Sequence, residues 1–494
     1  MMRQILILAF LLPAFSAAQE EHDHPAPEKL GTVSFPASCQ PGVQQELDRA
    51  VALLHSFAYR PAEETFQSVV SQDPHCAIAH WGIAMTHFQQ LWEPPLPSKG
   101  ISVGQNEIRQ AEMLNAATER EGGFIHALSL IFDDPTIPYS KRASSYEVAM
   151  HDLAAANPTD VEAQVFYALA LISNASPTDK THFKQKQAAA LLEPLYREFP
   201  NHPGIPHYLI HACDSQELAS RGLAAARAYS RIAPSAPHAL HMPSHIFTRL
   251  GMWDDSIASN LAARAAAHQQ GDTGEELHAM DYLVYAYLQT GRDQEAAQVV
   301  QQLSSLQNLD MSDFKSGYAA TVMPIRYIVE RHQWSEAEKV YLPPASALPQ
   351  VLATAVWARG LGFARNGHPK EARKQAEALR QIEDRLRASG TAYWATQVNI
   401  MTREVLAWSA QAEGGSDEAI AILRSAADDE DGIEKLPATP GPVIPAREQL
   451  GELLLEQGNF ASASKAFEIS LANAPGRRGA LQGAARATHA PLQK

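Results

Sequence analysis

Apolar positions recur at helical spacing along most of the chain, and the periodic stretches come in pairs that are joined by short polar turns. In most copies of the turn, its first residue is followed four positions later by an acidic residue and then by a small one. The turn begins at Gly251, Gly291, His332, Gly367, Gly414 and Gly458, with a weaker copy at Arg60. The pattern predicts an all-α fold made of helical hairpins from about Val43 onward.

Each residue type in the turn favours a hairpin. Glycine ends the first helix because the turn needs a left-handed backbone, and an acidic side chain favours the N-terminus of the second helix. The small residue lets the two helices approach each other. A single hairpin cannot bury its own apolar face, so copies must stack. The turns from Gly251 onward stand 35 to 47 residues apart, which indicates a repeat array.

Several of the second helices are followed by a proline, at Pro74, Pro200, Pro234 and Pro475. Together with the turn glycine and the early small residue, this pattern resembles the tetratricopeptide repeat family. The resemblance implies a tetratricopeptide-like helical-hairpin solenoid, coiled as a right-handed superhelix, that binds a protein or peptide partner. The spacing is longer than the roughly 34 residues of that family, so the repeats are degenerate.

A narrower resemblance rests on two short segments. Residues 71–82 read SQDPHCAIAHWG and residues 241–247 read HMPSHIF. Both are similar to segments of uncharacterised secreted bacterial members of the tetratricopeptide repeat family. This resemblance implies a fold and a compartment, but no reaction.

The chain divides into four parts by composition. Residues 1–18 have the basic residue, apolar run and small-residue cleavage site of a signal peptide. Residues 19–42 are expected to be a flexible leader, residues 43–235 degenerate helical repeats, and residues 236–488 tetratricopeptide-like repeats. The signal predicts a periplasmic or secreted protein. No later run of about 18 apolar residues predicts a membrane span.

Two local features of the predicted helices matter for the site. A helix is expected over 237–250, and Pro243 inside it should kink the axis because proline donates no backbone hydrogen bond. The Pro-containing stretch from Trp92 to Gly104 is predicted to be a loop.

Charge and cysteine content narrow the class of protein. The formal net charge is −15 and the sequence has no Lys/Arg-rich run, so nucleic acid is not expected as a partner. Three cysteines in an oxidising compartment allow one disulfide. Cys39 and Cys76 are the preferred pair, which leaves Cys213 as a free cysteine that is expected to be buried.

Candidate chemistry is concentrated between His202 and His278, where eight of the twenty histidines lie. When two segments are counted back from Gly251 and Gly291, His238 matches His278 and His241 matches Asp281. Residues three or four apart share a helix face, so three neighbouring helices could direct these groups to one place. The candidate metal ligands are His207, His211, His238, His241, His245, His278 and Asp281.

Two interpretations of these residues stay open. Imidazoles with a carboxylate suit a divalent transition metal such as Zn, Cu, Fe or Mn, in a structural or a catalytic site. Alternatively, they are buried helical histidines that bond to backbone or to Asp, since the chain has no HExxH or CxxC motif. The primary interpretation is a scaffold for a protein or peptide, and whether the protein is an enzyme is undecided. Convergence of the imidazole nitrogens would favour the metal.

A second group of residues lies nearer the N-terminus. His80 and His87 stand two turns apart on a predicted helix, with Trp81 between them and Trp92 beyond. They could line a ligand groove, but aromatic residues at such positions more often pack between repeats.

Overall fold

The computed structural model describes residues 28–91, 96–306 and 309–489. Within these ranges the chain forms 24 α-helices, preceded by a 3-10 turn at Pro41–Val43, and contains no β-strand. The helices are α1 Gln44–His55, α2 Tyr59–Gln72, α3 Ala77–Thr86, α4 Ser98–Leu114, α5 Glu119–Phe132, α6 Tyr139–Ala156, α7 Val161–Ser173, α8 Phe183–Glu198, α9 Gly204–Ala212, α10 Ala219–Ile232, α11 Pro237–His241, α12 Pro243–Arg249, α13 Trp253–Gln270, α14 Thr273–Gln289, α15 Asp293–Leu303, α16 Phe314–Val329, α17 Trp334–Ala337, α18 Pro349–Arg365, α19 Pro369–Ala388, α20 Ala392–Ala412, α21 Ser416–Asp431, α22 Ala446–Glu456, α23 Phe460–Asn473 and α24 Arg478–Thr488.

Each helix packs mainly on its neighbours in sequence and on the helix two positions further along. Thus α13 packs on α14, α14 packs on α15 and α16, and α18 packs on α19 and α20. Contacts of this kind build an extended array of stacked hairpins. The predicted all-α fold of helical hairpins is therefore confirmed. Among the described residues, no helix combines the length and apolar character that crossing a membrane requires.

The repeated turn has the backbone conformation that the sequence predicts. Gly251 and Gly291 have φ of 68° and 73°, in the left-handed region. At Gly251 the chain closes with a hydrogen bond from the amide of Met252 to the carbonyl of Phe247, as expected for a glycine that ends a helix. His332, which replaces the glycine in its copy of the turn, has φ of 53°. The turn therefore imposes this conformation even on a residue that has a Cβ.

The histidine-bearing helices lie where one part of the hydrophobic core meets the next. Buried apolar residues from Leu30 to Phe247 form one cluster, which includes α9, α11 and α12. A second cluster runs from Trp253 to Met323 and includes α14. The helices at this junction are packed on both sides, so their polar side chains are buried.

The leader predicted to be flexible is packed from residue 28 onward, and residues 1–27 lie outside the described part of the chain. The ring of Phe35 is fully buried, and its centroid lies 5.5 Å from that of Trp81 and 5.3 Å from that of Phe124. The predicted disulfide between Cys39 and Cys76 is present and ties this segment to the start of α3. Because the segment is extended, its core residue produces no helical periodicity.

The loop predicted from Trp92 to Gly104 is wrong in its second half, where α4 begins at Ser98. Gly104 lies inside this helix, where the ring of Phe132 packs directly against its backbone. A Cβ at Gly104 would lie 2.3 Å from the ring of Phe132. The glycine therefore serves close packing and not a loop.

A long connection between α21 and α22 crosses the histidine-bearing helices. We call residues 432–445 the covering segment. Lys435 forms an ion pair with Asp214 at 2.8 Å, and the hydroxyl of Tyr282 donates to the carbonyl of Pro437 at 3.4 Å. Further along, the guanidinium of Arg326 donates to the carbonyl of Pro442 at 3.3 Å. The covering segment thus closes one side of the central helices.

We expect Gly104→Ala to lower the free energy of unfolding by about 1–3 kcal/mol, because the added methyl overpacks against Phe132. Gly122→Ala, in the neighbouring helix α5, is the matched control. A Cβ at Gly122 meets no atom within 4 Å, so this change should stabilise by about 0.5–1 kcal/mol. Urea denaturation of both variants measures the difference. Equal effects would contradict the close contact at Gly104.

Candidate metal centre

Six of the seven predicted ligands come together as two groups of three histidines. The first trio is His207, His211 and His238. The second trio is His241, His245 and His278. Within each trio, one ring nitrogen of every histidine lies within 4.8 Å of the other two. The predicted convergence is therefore found, but at two adjacent places and not at one.

The two trios are built in the same way. Each uses a pair of histidines four residues apart, and the two Nε2 atoms of a pair are 3.1 Å apart in the first trio and 3.0 Å apart in the second. The third histidine comes from the next hairpin, from α11 in the first trio and from α14 in the second. Two nitrogens bound tetrahedrally at 2.0–2.1 Å to one ion stand about 3.3 Å apart. The observed spacing is close to that value.

Pro243 interrupts the helix that carries His241 and His245, but the two histidines stay on the same face. The predicted helix over 237–250 is split into α11 and α12 at Met242, next to Pro243. Met242 keeps helical φ and ψ of −52° and −37°. His241 and His245 therefore stay on one face across the interruption, as the sequence predicts.

Hydrogen bonds at Nδ1 orient most of these imidazoles. In four of the six imidazoles, an oxygen lies within hydrogen-bond distance of Nδ1. In the first trio, the carbonyl of His55 is 2.6 Å from His207 and Glu275 is 3.3 Å from His238. In the second trio, Asn260 is 2.7 Å from His241 and Asp214 is 3.0 Å from His245. A carbonyl, an amide oxygen and an ionised carboxylate can only accept, so the proton is on Nδ1 and the lone pair is on Nε2. Histidines that bind metals are usually held by a hydrogen bond of this kind.

All six imidazoles are buried, with 0–7% of each residue exposed. Burial is the main cause that lowers the pKa of five of these rings, and the neighbouring imidazoles lower it further. The pKa is well below its ordinary value for His207, His211, His241 and His278, and is about 4 for His245. These rings are therefore neutral at pH 7, the state in which an imidazole binds a metal.

Asp281, the seventh predicted ligand, belongs to neither trio. Its carboxylate faces Arg326 of α16, with Oδ1 3.1 Å from Nε, and both side chains are buried. Counting back from Gly291 and Gly251 places Asp281 at the position equivalent to His241. It could not show that, in this repeat, the position meets a guanidinium from the next hairpin.

The carboxylates that do contact the trios are Asp214 and Glu275, which the sequence analysis did not select. Although burial alone would raise the pKa of Asp214, Lys435 and Arg249 hold it well below its ordinary value. In the same way, Lys315 and His238 outweigh the burial of Glu275 and lower its pKa. The one signal in the sequence is that Asp214 stands three positions after His211 and Glu275 three positions before His278. This spacing is a weak indication of a contact.

The two trios share a small cavity. Its volume is about 10 Å³, which is room for roughly one water-sized sphere. Ring centroids across the boundary between the trios are 5.9 Å apart for His211 and His245, and 6.0 Å apart for His238 and His241. The cavity is lined by Phe57, Leu91, His211, His238, His245, His278 and Pro437. Ions in the two trios would therefore face a common space.

The other polar clusters near these helices have their bonds satisfied within the protein. Both oxygens of Glu162 accept bonds from histidines, one from His55 at 2.7 Å and one from His202 at 2.9 Å. His80 pairs with Glu107 at 2.7 Å, outside both trios. As predicted, Cys213 is a free, buried cysteine, and burial raises its pKa to about 12.

Trp81 packs as expected of a core residue, whereas Trp92 lies outside the described residues. Trp81 is buried, and its ring stacks on Phe35 and meets Phe166 edge-on. His87 approaches Glu63 at 3.4 Å and does not join the trios.

No protein-family model and no curated protein sequence matches this chain. Solved structures with some similarity include a human IFIT1 dimer with m7Gppp-AAAA, which is 10% identical over 83% of this chain and 89% of that chain, with a TM-score of 0.38. Another is the APC/C hetero-tetramer Cut9-Hcn1, which is 12% identical over 92% and 78% of the two chains, with a TM-score of 0.36. Similarity at this level assigns no ligand or partner, so the function is inferred from the site itself.

We expect Arg326→Met to cost about 3–5 kcal/mol of unfolding free energy, because it leaves the buried Asp281 carboxylate without its partner. Arg373→Met is the control, since its ion pair with Glu413 is about half exposed and such pairs contribute little to stability. Denaturant unfolding measures both. Adding Asp281→Asn to Arg326→Met should recover much of the loss. A small effect of Arg326→Met would contradict the structural role of Asp281.

Proposed function

We propose that this protein binds two transition-metal ions, one in each histidine trio. The observation that carries this proposal is the convergence of six buried imidazoles in two groups of the same construction. Within each pair, the two Nε2 atoms lie 3.1 or 3.0 Å apart, which is a spacing that one metal ion can bridge. A metal ion in each trio would do so.

The donor set restricts the metal. Neutral imidazole suits Zn, Cu, Fe and Ni, whereas Mg and Ca prefer oxygen ligands. Each trio offers three nitrogens and leaves a fourth position for water or a small ligand. An open position of this kind is typical of metal sites that do chemistry and not of closed structural sites. The shared cavity is where those open positions would point.

The proposed compartment is the periplasm or the extracellular space. The segment 1–18 that suggests export lies outside the described residues. The disulfide between Cys39 and Cys76 supports the proposal, because such bonds persist mainly in oxidising compartments. A protein exported this way would acquire its ions outside the cytoplasm.

Binding of a protein or peptide is the second candidate, and the hairpin-array fold is compatible with it. The face above the trios is already occupied by the covering segment through Lys435 and Pro437. A groove between α5 and α6 is open instead, where Leu130 and Val148 line the wall and Val148 is 61% exposed. A partner would therefore bind away from the metal centre.

We expect the full chain, produced without a histidine tag, to hold two metal ions per molecule by plasma mass spectrometry. His211→Gln should remove the ion of the first trio and His245→Gln that of the second, leaving about one ion in each variant. His126→Gln, at an exposed histidine of α5, is the matched control and should keep two. Folded protein that takes up no Zn, Cu, Fe or Ni would refute the proposal.

The hydrogen bond from His241 to Asn260 allows a milder test. Asn260→Ala removes the acceptor at 2.7 Å from Nδ1, so the second ion should bind about 10–100-fold more weakly. The first ion should be unaffected, and so should both ions in Asn106→Ala, at an exposed asparagine. Competition with a chromophoric chelator measures the affinities. Equal weakening of both ions would indicate a general loss of structure.

A further inference from the structure

We infer that the two ions are copper and that the cavity between the trios binds dioxygen. This inference rests on the proposed function and adds the identity of the metal and of the small ligand. Four observations support it: the charge balance around the trios, the all-imidazole ligands, the size of the cavity and the exclusion of larger molecules.

The charge around the trios favours ions of low charge. The carboxylate of Asp214 is already balanced by Arg249 and Lys435, and that of Glu275 by Lys315. No carboxylate belongs to either trio among the described residues. Two divalent ions would place four positive charges in this buried space, and two Cu(I) ions would place only two. Uncompensated buried charge is strongly unfavourable, so the monovalent state fits better.

Copper also fits the ligand type and number. Imidazole suits copper as it suits Zn, Ni and Fe, and copper is the one of these metals that has a stable monovalent state in proteins. Zinc has no accessible monovalent state, because it undergoes no redox change in proteins. Three imidazoles per ion leave one position on each copper toward the shared cavity, which is lined by His211 and His238 from one trio and by His245 and His278 from the other.

The cavity admits only a very small ligand. At about 10 Å³ it has room for roughly one water-sized sphere, which excludes an organic substrate. Phe57 closes one side, with its ring centroid 4.4 Å from that of His207, and Pro437 of the covering segment closes another. A diatomic molecule that bridges the two ions meets these limits.

Electron transfer to dioxygen keeps the charge of the site constant. Each Cu(I) gives one electron and becomes Cu(II), while dioxygen accepts two electrons and becomes peroxide with a single O–O bond. The two copper ions and peroxide together carry two positive charges, as the two Cu(I) ions did, and no proton is taken up or released. The hydroxyl of Tyr282, which donates to the carbonyl of Pro437, lies 3.4 Å from Nε2 of His245 beside the second trio.

The test is to load the full, untagged chain with Cu(I)–acetonitrile without air and then to admit dioxygen. We expect two copper ions per chain and a new near-ultraviolet charge-transfer band. We also expect a Raman O–O vibration that shifts with heavy-isotope dioxygen, and no Cu(II) paramagnetic signal, because the two ions are coupled through the bound ligand. Removing dioxygen should reverse the band.

Variants of single trios provide the controls. His211→Gln and His245→Gln should each hold one copper, show the paramagnetic signal of isolated Cu(II) in air, and give no oxygen band. His126→Gln should behave as the unmodified chain does. Circular dichroism of each variant shows whether it is folded. If a trio variant unfolds, conversion of the same histidine to Asn replaces it.

The outcomes separate this inference from the function on which it rests. Two bound copper ions with two independent paramagnetic signals and no band would overturn dioxygen binding and leave the metal centre in place. Two zinc ions that copper cannot displace would overturn the copper assignment, and dioxygen binding with it, and would leave the metal centre in place. A folded chain that takes up no metal would overturn both proposals.

Discussion

One buried carboxylate connects the parts of this molecule that would otherwise be independent. Asp214 follows α9, accepts a bond from His245 of α12, and forms ion pairs with Arg249 and with Lys435 of the covering segment. A buried carboxylate is stable only when it is paired and fully hydrogen-bonded, so these three side chains must stay in place. The position of the second trio and the closure above it therefore depend on the same group.

The repeat explains why the described part of the chain holds two histidine trios and not a third. Each hairpin of the series can supply a pair of histidines to its own trio and one histidine to the trio before it. The hairpin that begins with α14 supplies His278 to the second trio, but Asp281 stands where His241 stands one repeat earlier, and it is bound by Arg326. The ion pair ends the series, because it turns a ligand position into a structural contact between hairpins.

Predictions from the sequence were correct where a residue type has a single structural role. The turn glycines predicted the hairpins because their left-handed backbone is needed in every copy, and the spacing of the histidines predicted their shared faces. Prediction failed where the role of a residue depends on distant residues. The prolines before Gly104 indicated a loop, but Gly104 packs against Phe132 inside a helix, and Phe35 of the extended leader carried no periodic signal. The acceptors Asp214 and Glu275 stand among many acidic residues, and only the fold shows which of them meet an imidazole.

The helices that carry the trios are synthesised before the covering segment, and the closure of that segment affects how ions would reach the trios. The imidazoles are almost completely buried, and Phe57 and Pro437 close the cavity between them. Pro437 belongs to the covering segment, which follows α14 by more than a hundred residues in the chain, so the helices of the trios are made well before their cover. Closing the cover brings the Lys435 ammonium beside Asp214, and burial lowers the pKa of Lys435 to about 8. Placing a partly desolvated cation there is favourable only once Asp214 is fixed by His245 and Arg249. Ions would reach the trios of the folded protein when the covering segment opens, and the closed segment would slow their exchange.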